Sequence, residues 1–231
     1  MSFFLNTEDG YYSLTTGGVV TVILITALLV LLPALLQKKG GQDASKTKGG
    51  FSARQLTFSA AAIALGFAFS YIRIIPMPWG GSVTLCSMLF VTLIGFWYGP
   101  KAGLAAGFAY GFLQFAQDGG SYILSPLQAC LDYIFAFAAL GLSGLFCNKK
   151  CGLIKGYLFA IAVRGLFHAL GGYLYWMDYM PESFPKSLAA IYPIAYNYSY
   201  IFAEGLITVV ILMLPPVKKA MARVENMAVQ A

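Results

Sequence analysis

Seven apolar runs, separated by short polar breaks, leave this chain few ways to fold. The first, Gly17 to Gln37, has the roughly 20 residues that cross a hydrocarbon core. Six more follow, approximately Leu56 to Ile75, Val83 to Tyr98, Ala102 to Gln117, Tyr122 to Phe146, Gly152 to Trp176 and Leu188 to Leu214. Lipid offers no partner to an unpaired backbone group, so every run is predicted to be a helix. Only 10% of the 231 residues are charged and 59% are hydrophobic, whereas a soluble domain carries about 25% charge. The chain therefore reads as an all-α integral membrane protein, with the lipid bilayer as its solvent.

Charge placement orients it. The net charge of +6 sits in loops between apolar runs, which argues against a nucleic-acid partner. Lys38, Lys39, Lys46, Lys48 and Arg54 form one cluster, followed in alternate loops by Lys101, by Lys149, Lys150 and Lys155, and by Lys218, Lys219 and Arg223. Twelve of the 15 basic residues thus fall on one side, as the positive-inside rule requires of cytoplasmic segments. The expected topology has the amino terminus outside and the carboxyl terminus in the cytoplasm. Ahead of the first run the only charges are Glu8 and Asp9, so that run is expected to stay as an anchor rather than leave as a signal peptide.

The organisation follows. Residues 1–37 are an N-terminal segment with an extra transmembrane helix, and 38–53, rich in Lys, Gly, Ser and Thr, are a flexible basic cytoplasmic linker. Residues 54–217 form a six-helix membrane domain, and 218–231 are a cytoplasmic tail. Gly95, Gly103, Gly107 and Gly111 thin two short spans and permit close helix contact. No phosphate-binding loop of the Gly-x-x-x-x-Gly-Lys-Ser/Thr type occurs, so no ATP hydrolysis is expected of this chain, which is read as a non-enzyme whose ATP hydrolysis, where transport needs it, belongs to another subunit. Cys147 and Cys151 lie in a predicted cytoplasmic loop without nearby His or acidic ligands, so neither a disulfide nor a metal site is expected.

Polar residues inside spans are costly and therefore mark function. The fifth span carries Gln128, Asp132 and Tyr133, the sixth Arg164, His168, Tyr175 and Trp176, and the seventh Tyr192, Tyr196, Asn197, Tyr200 and Glu204. At 100° per residue, Arg164, His168, Gly171, Gly172 and Tyr175 share one side of the sixth span, and the polar residues of the seventh likewise share one stripe. Counted from the predicted outer ends, Asp132 lies roughly 15 Å deep and His168 roughly 12 Å. A carboxylate beside aromatic faces at one depth suits an organic cation with a polar aromatic ring.

The run Tyr122-Ile-Leu-Ser-Pro-Leu-Gln128-Ala-Cys-Leu-Asp132-Tyr133, the run His168-Ala-Leu-Gly-Gly-Tyr-Leu-Tyr-Trp176, and Tyr192-Pro-Ile-Ala-Tyr-Asn197 occur in order and at the spacing of a known family. From Arg54 to Leu214 the chain resembles the thiamine-specific S-components, the substrate-binding membrane subunits of energy-coupling factor (ECF) vitamin transporters. The resemblance implies a six-helix bundle that takes thiamine as its ligand, with no cofactor. It implies that Asp132 pairs with the thiazolium, that Trp176 stacks on the ligand, and that Tyr122, Tyr133, His168, Tyr192 and Asn197 line the same pocket. Gln128, Arg164, Trp79 and Glu204 are supporting candidates. Ala60 and Ala64 match a small-residue pair, which implies docking on a membrane coupling subunit that works with two ATPase subunits. The extra first span lies outside the family core, and Asp132 is one methylene shorter than the glutamate of some members.

Two other readings stay open from the sequence. A solitary secondary carrier driven by protons through Asp132, Glu204 or His168 needs no partner subunits. An intramembrane serine protease is suggested by Gly141-Leu-Ser143-Gly144 with His168, but Ser143 lies near the cytoplasmic loop and His168 roughly 20 Å further along its helix.

Overall fold

The computed structural model describes residues 5–8, 11–14, 17, 52–78, 80–118 and 124–229. The anchor and almost all of the linker expected from the sequence lie outside these residues. Near the amino terminus, β1 (Leu5–Glu8) pairs antiparallel with β2 (Tyr11–Leu14). The membrane domain consists of α1 (Ala53–Ser70), α2 (Ser87–Tyr98), α3 (Pro100–Asp118), α4 (Pro126–Phe146), α5 (Gly152–Tyr175) and α6 (Tyr192–Met213).

Local chemistry sets the helix ends. Ser52 caps α1 reciprocally: its hydroxyl accepts from Gln55 N at 3.2 Å, and its own N–H reaches Gln55 Oε1 at 3.0 Å. Ser125 does the same service for α4, accepting from Gln128 N at 3.1 Å ahead of Pro126. A 3-10 turn, Lys186–Ile191, leads into α6. By length and composition, Pro126–Phe146, Gly152–Tyr175 and Lys186–Met213 are able to cross a membrane, and Ser87–Tyr98 is a shorter apolar helix. The alanine- and glycine-rich α1 and α3 fall short on composition, not on length.

Two expectations need correction. The run Leu56 to Ile75 is not helical throughout, because α1 stops at Ser70 and the chain turns into β3 (Arg73–Pro76), paired antiparallel with β4 (Ser82–Thr84). Branched Ile72, Ile74 and Ile75 favour extended backbone, Pro76 and Pro78 cannot continue a helix, and Gly80 and Gly81 turn the tip at φ 90° and 78°. For the same reason α2 begins at Ser87 rather than Val83. The residues assigned to the tail fall within a further helix, α7 (Pro215–Val229). Val217, Met221, Val224 and Ala228 turn inward while Lys218, Lys219 and Arg223 are exposed, and Tyr98 Oη donates to Ala228 O at 3.3 Å.

The centre of the bundle is a backbone-to-backbone seam. Gly103, Gly107 and Gly111 on α3 lie against Gly141, Phe137 and Tyr133 on α4, four residues apart on each helix and running antiparallel. A Cβ at Gly111 would stand 2.5 Å from Tyr133 O, and one at Gly95 on α2 would stand 2.5 Å from Gly141 O. Small residues thus replace side-chain packing where three helices meet. At the end of the bundle that carries the β3–β4 hairpin, the helices part and leave a cavity.

Candidate functional site

A cavity of about 240 Å³ lies between the hairpin and the ends of α1, α3, α4, α5 and α6. Of the sequence-predicted residues it is lined by Gln128, Asp132, Tyr133, Arg164, His168, Trp176, Tyr192, Asn197 and Glu204. Tyr122 and Trp79 lie outside the described residues. Ala60 and Ala64 are elsewhere, exposed on the outer side of α1.

Asp132 is the organising group. Its Oδ2 accepts from Gln128 Nε2 at 2.6 Å and from Trp176 Nε1 at 3.4 Å, and its Oδ1 meets His168 Nδ1 at 3.2 Å. Arg164 Nε, which can only donate, reaches His168 Nε2 at 3.2 Å. That bond makes Nε2 the acceptor and places the imidazole proton on Nδ1, so His168 donates to Asp132 as a neutral ring. Arg164 is therefore one imidazole removed from the carboxylate, and its guanidinium carbon sits 4.2 Å from the centroid of Phe137. The side chain of Asp132 is 15% exposed, so a charged face remains open to the cavity.

Backbone geometry aims this carboxylate. α4 is α-helical over Pro126–Ala129, π-helical over Cys130–Phe135, α-helical over Ala136–Ala138 and 3-10 over Ala139–Phe146. The wide π turn presents Asp132 and Tyr133 toward the cavity while keeping Gln128 one turn away from Asp132. On the facing helix, Gly171 admits the carboxylate, since a Cβ there would lie 2.7 Å from Asp132 Oδ1.

Aromatic rings make the remaining wall. Trp176 and Tyr179 are 5.1 Å apart, Tyr192 and Tyr196 5.8 Å, Tyr196 and Tyr200 6.1 Å, and His168 and Tyr200 6.3 Å, by ring centroids. A flat cationic ring finds both faces and a counter-charge here. Asn197 is already committed: its amide donates to Pro193 O at 2.9 Å and His168 O at 3.2 Å, and its Oδ1 accepts from Tyr200 Oη at 2.9 Å. It ties α6 to α5 and fixes the ring positions on both. Glu204 turns to the hairpin and α2, accepting from Thr84 and Met88 backbone N–H groups at 3.0 and 3.1 Å.

Several lining residues were not among those predicted. Ser70, Gln114 and Gln117 join α1 to α3 through bonds of 2.9 to 3.1 Å in the cavity lining, and Arg73 comes from the hairpin. Gln114 and Gln117, three apart inside an apolar run, carried the signal of costly intramembrane polarity. Tyr196 and Tyr200 stood on the recognised stripe of α6. Ser143 and His168 are not brought together. Ser143 Oγ donates to Thr92 O at 2.6 Å and its backbone lies against Gly156, twelve residues or roughly 18 Å of helix from His168.

The thiamine transporter protein family (Thia_YuaJ) matches residues 56–223, which takes in nearly all of α1 and all of α2 to α6. Thiamine transporter ThiT of Bacillus subtilis is 33% identical over 169 residues, covering 68% of this chain and 84% of that protein. ThiT of Lacticaseibacillus paracasei is 36% identical over 92 residues, 33% of this chain and 46% of the relative. A solved structure of ThiT from Listeria monocytogenes aligns with a TM-score of 0.55 at 26% identity, over 70% of this chain and 94% of that one. The resemblance drawn from three short motifs thus extends over the whole bundle, and the chain belongs to the thiamine transporter protein family.

Proposed function

We propose that this chain captures thiamine at the outer face of a bacterial plasma membrane, as the substrate-binding S-component of an ATP-driven ECF importer. The observation that carries the reading is an open carboxylate, Asp132, held by Gln128, His168 and Trp176 inside an aromatic cavity. The thiazolium supplies the cation for Asp132, and the aminopyrimidine supplies a flat polar ring for Trp176 and the tyrosines. His168, Tyr133, Tyr192 and Asn197 shape the cavity around both rings, and Tyr122 is assigned to the same wall by resemblance. The positive-inside rule puts the hairpin end outside and α7 in the cytoplasm.

Energy is assigned to partners. Ala60 and Ala64 are exposed four residues apart on α1, and Ala68 continues the same stripe of small residues. Such a face permits close approach of another membrane helix, here that of a coupling subunit bearing two ATPases. Isothermal titration of the detergent-purified chain with thiamine, beside riboflavin and biotin, tests the ligand. Selective, tight thiamine binding is expected, and its absence from folded protein would remove the assignment. Affinity purification from native membranes tests the energy source: a stable complex with a membrane coupling protein and two ATPases is expected, and a solitary chain that accumulates thiamine in proteoliposomes under a proton gradient would replace it.

A further inference from the structure

Glu204 is 2% exposed and stands on α6 with no sequence-local reason to be acidic. Its Oε2 accepts from Thr84 N at 3.0 Å and Thr84 Oγ1 at 2.5 Å, and its Oε1 accepts from Met88 N at 3.1 Å and Ser87 Oγ at 3.2 Å. All four donors belong to the junction where β4 becomes α2. That junction lacks its own cap: the residue before α2, Cys86, is left-handed at φ 57° and offers no side-chain hydrogen bond to the helix start. An orphan N–H at a helix start is normally met by a side chain next to it in sequence. Here the cap comes from more than a hundred residues away, and the carboxylate sits at the positive end of the α2 dipole.

The same stripe of α6 grips the hairpin further out. Tyr196 Oη donates to Gly80 O at 3.1 Å, and the ring of Tyr200 lies so close to Gly81 that a Cβ there would stand 2.7 Å from it. Positions 196, 200 and 204 are four residues apart, so one face of α6 holds the hairpin at its tip, near its tip and at its base. The two tyrosines line the cavity, and Thr84, Ser87 and Glu204 line it as well.

We infer that Glu204 is a positioning residue for ligand binding: it caps α2 from α6 and thereby fixes the β4–α2 wall of the cavity. This rests on the proposed thiamine site. It contacts the wall, whereas Asp132 supplies the counter-charge, so the two acids have separable effects. Removing Glu204 frees the junction, lets the hairpin base drift from α6, and speeds ligand loss without touching Asp132, His168 or Trp176.

The test uses the full chain, wild type beside Glu204→Ala and Glu204→Gln, with thiamine as the probe. Expected for Glu204→Ala is a tenfold or greater rise in Kd, carried by faster dissociation, together with faster amide exchange confined to a peptide spanning Thr84 to Met88. Glu204→Gln keeps one acceptor oxygen and recovers part of both. A Kd within twofold of wild type, even with a lower melting temperature, would reduce Glu204 to a purely structural cap and overturn the inference. If Glu204→Ala does not fold, the double variant Thr84→Val, Ser87→Ala removes both hydroxyl donors and leaves the carboxylate on its two N–H groups. It is expected to raise Kd at least threefold, and an unchanged Kd overturns the inference equally. Should wild type itself fail to bind thiamine, the ligand assignment falls; the positioning role is then decided by exchange alone, and unchanged exchange at Thr84 to Met88 in Glu204→Ala removes it.

Discussion

Replacing Asp132 by Asn removes one charge and almost no volume, which makes it the sharpest test of how this cavity holds a cation. A unit-charge pair about 5 Å apart is worth about 3 kcal/mol at an effective dielectric near 20. Asp132 already accepts from Gln128, His168 and Trp176, and these neutral donors dilute its charge without cancelling it. The net loss on Asp132→Asn is therefore set at about 2–3 kcal/mol, or about 30- to 150-fold in Kd. Isothermal titration should be run with thiamine and with an analogue whose thiazolium is replaced by an uncharged ring of the same shape. Charge pairing requires that thiamine lose the full factor and the neutral analogue almost none. Equal losses for both ligands would mean that the carboxylate shapes the cavity rather than neutralising the cation. An unchanged affinity for thiamine would end the ion-pair account altogether.

Gly171→Ala places a methyl 2.7 Å from Asp132 Oδ1, so it is expected to push the carboxylate off His168 and weaken thiamine binding about tenfold in the same titration, an overpacking cost of about 1–3 kcal/mol. Ala64→Trp should bind thiamine with wild-type affinity yet abolish uptake by cells, because the bulky ring blocks helix approach on the exposed face of α1; normal uptake would dismiss that face as the docking surface. Gly107→Ala, whose Cβ would lie 2.8 Å from the Cα of Ala138, is expected to lower the melting temperature by several degrees in a detergent thermal scan, and an unaltered scan would show that the seam can relax.

Much of the bundle was legible because lipid makes polarity expensive. Asp132, His168 and Asn197 stood out in apolar runs, Asp132 and His168 by depth, and His168 and Asn197 also by the stripes of their helices. The glycines of α3 announced close contact, though not that Phe137 and Tyr133 would be their partners. What stayed hidden depends on pairing between distant residues. Apolar composition does not distinguish the hairpin strand at Ile74 and Ile75 from the end of a helix, and only the register with Val83 and Ser82 decides it. Glu204 stood out as an intramembrane acid, but its partners Thr84 and Met88 lie too far away in the chain to be read from its surroundings. Asn197 was legible as a pocket residue, but the donation of its amide to Pro193 O and His168 O was not. The π turn at Cys130–Phe135 has no compositional mark, because it changes only which carbonyl each N–H chooses.

The seam of α2, α3 and α4 has a mechanical consequence. Helices that touch through their main chains have no rotamers to rearrange and no soft side chains to compress, so these three form a stiff slab. α5 and α6 meet the cavity instead through side chains, by aromatic rings and the hydrogen-bonded amide of Asn197. The slab is thus the frame on which the cavity is built. Asp132 and Tyr133 stand on that frame, while His168 and the tyrosines of α6 close the cavity from outside it.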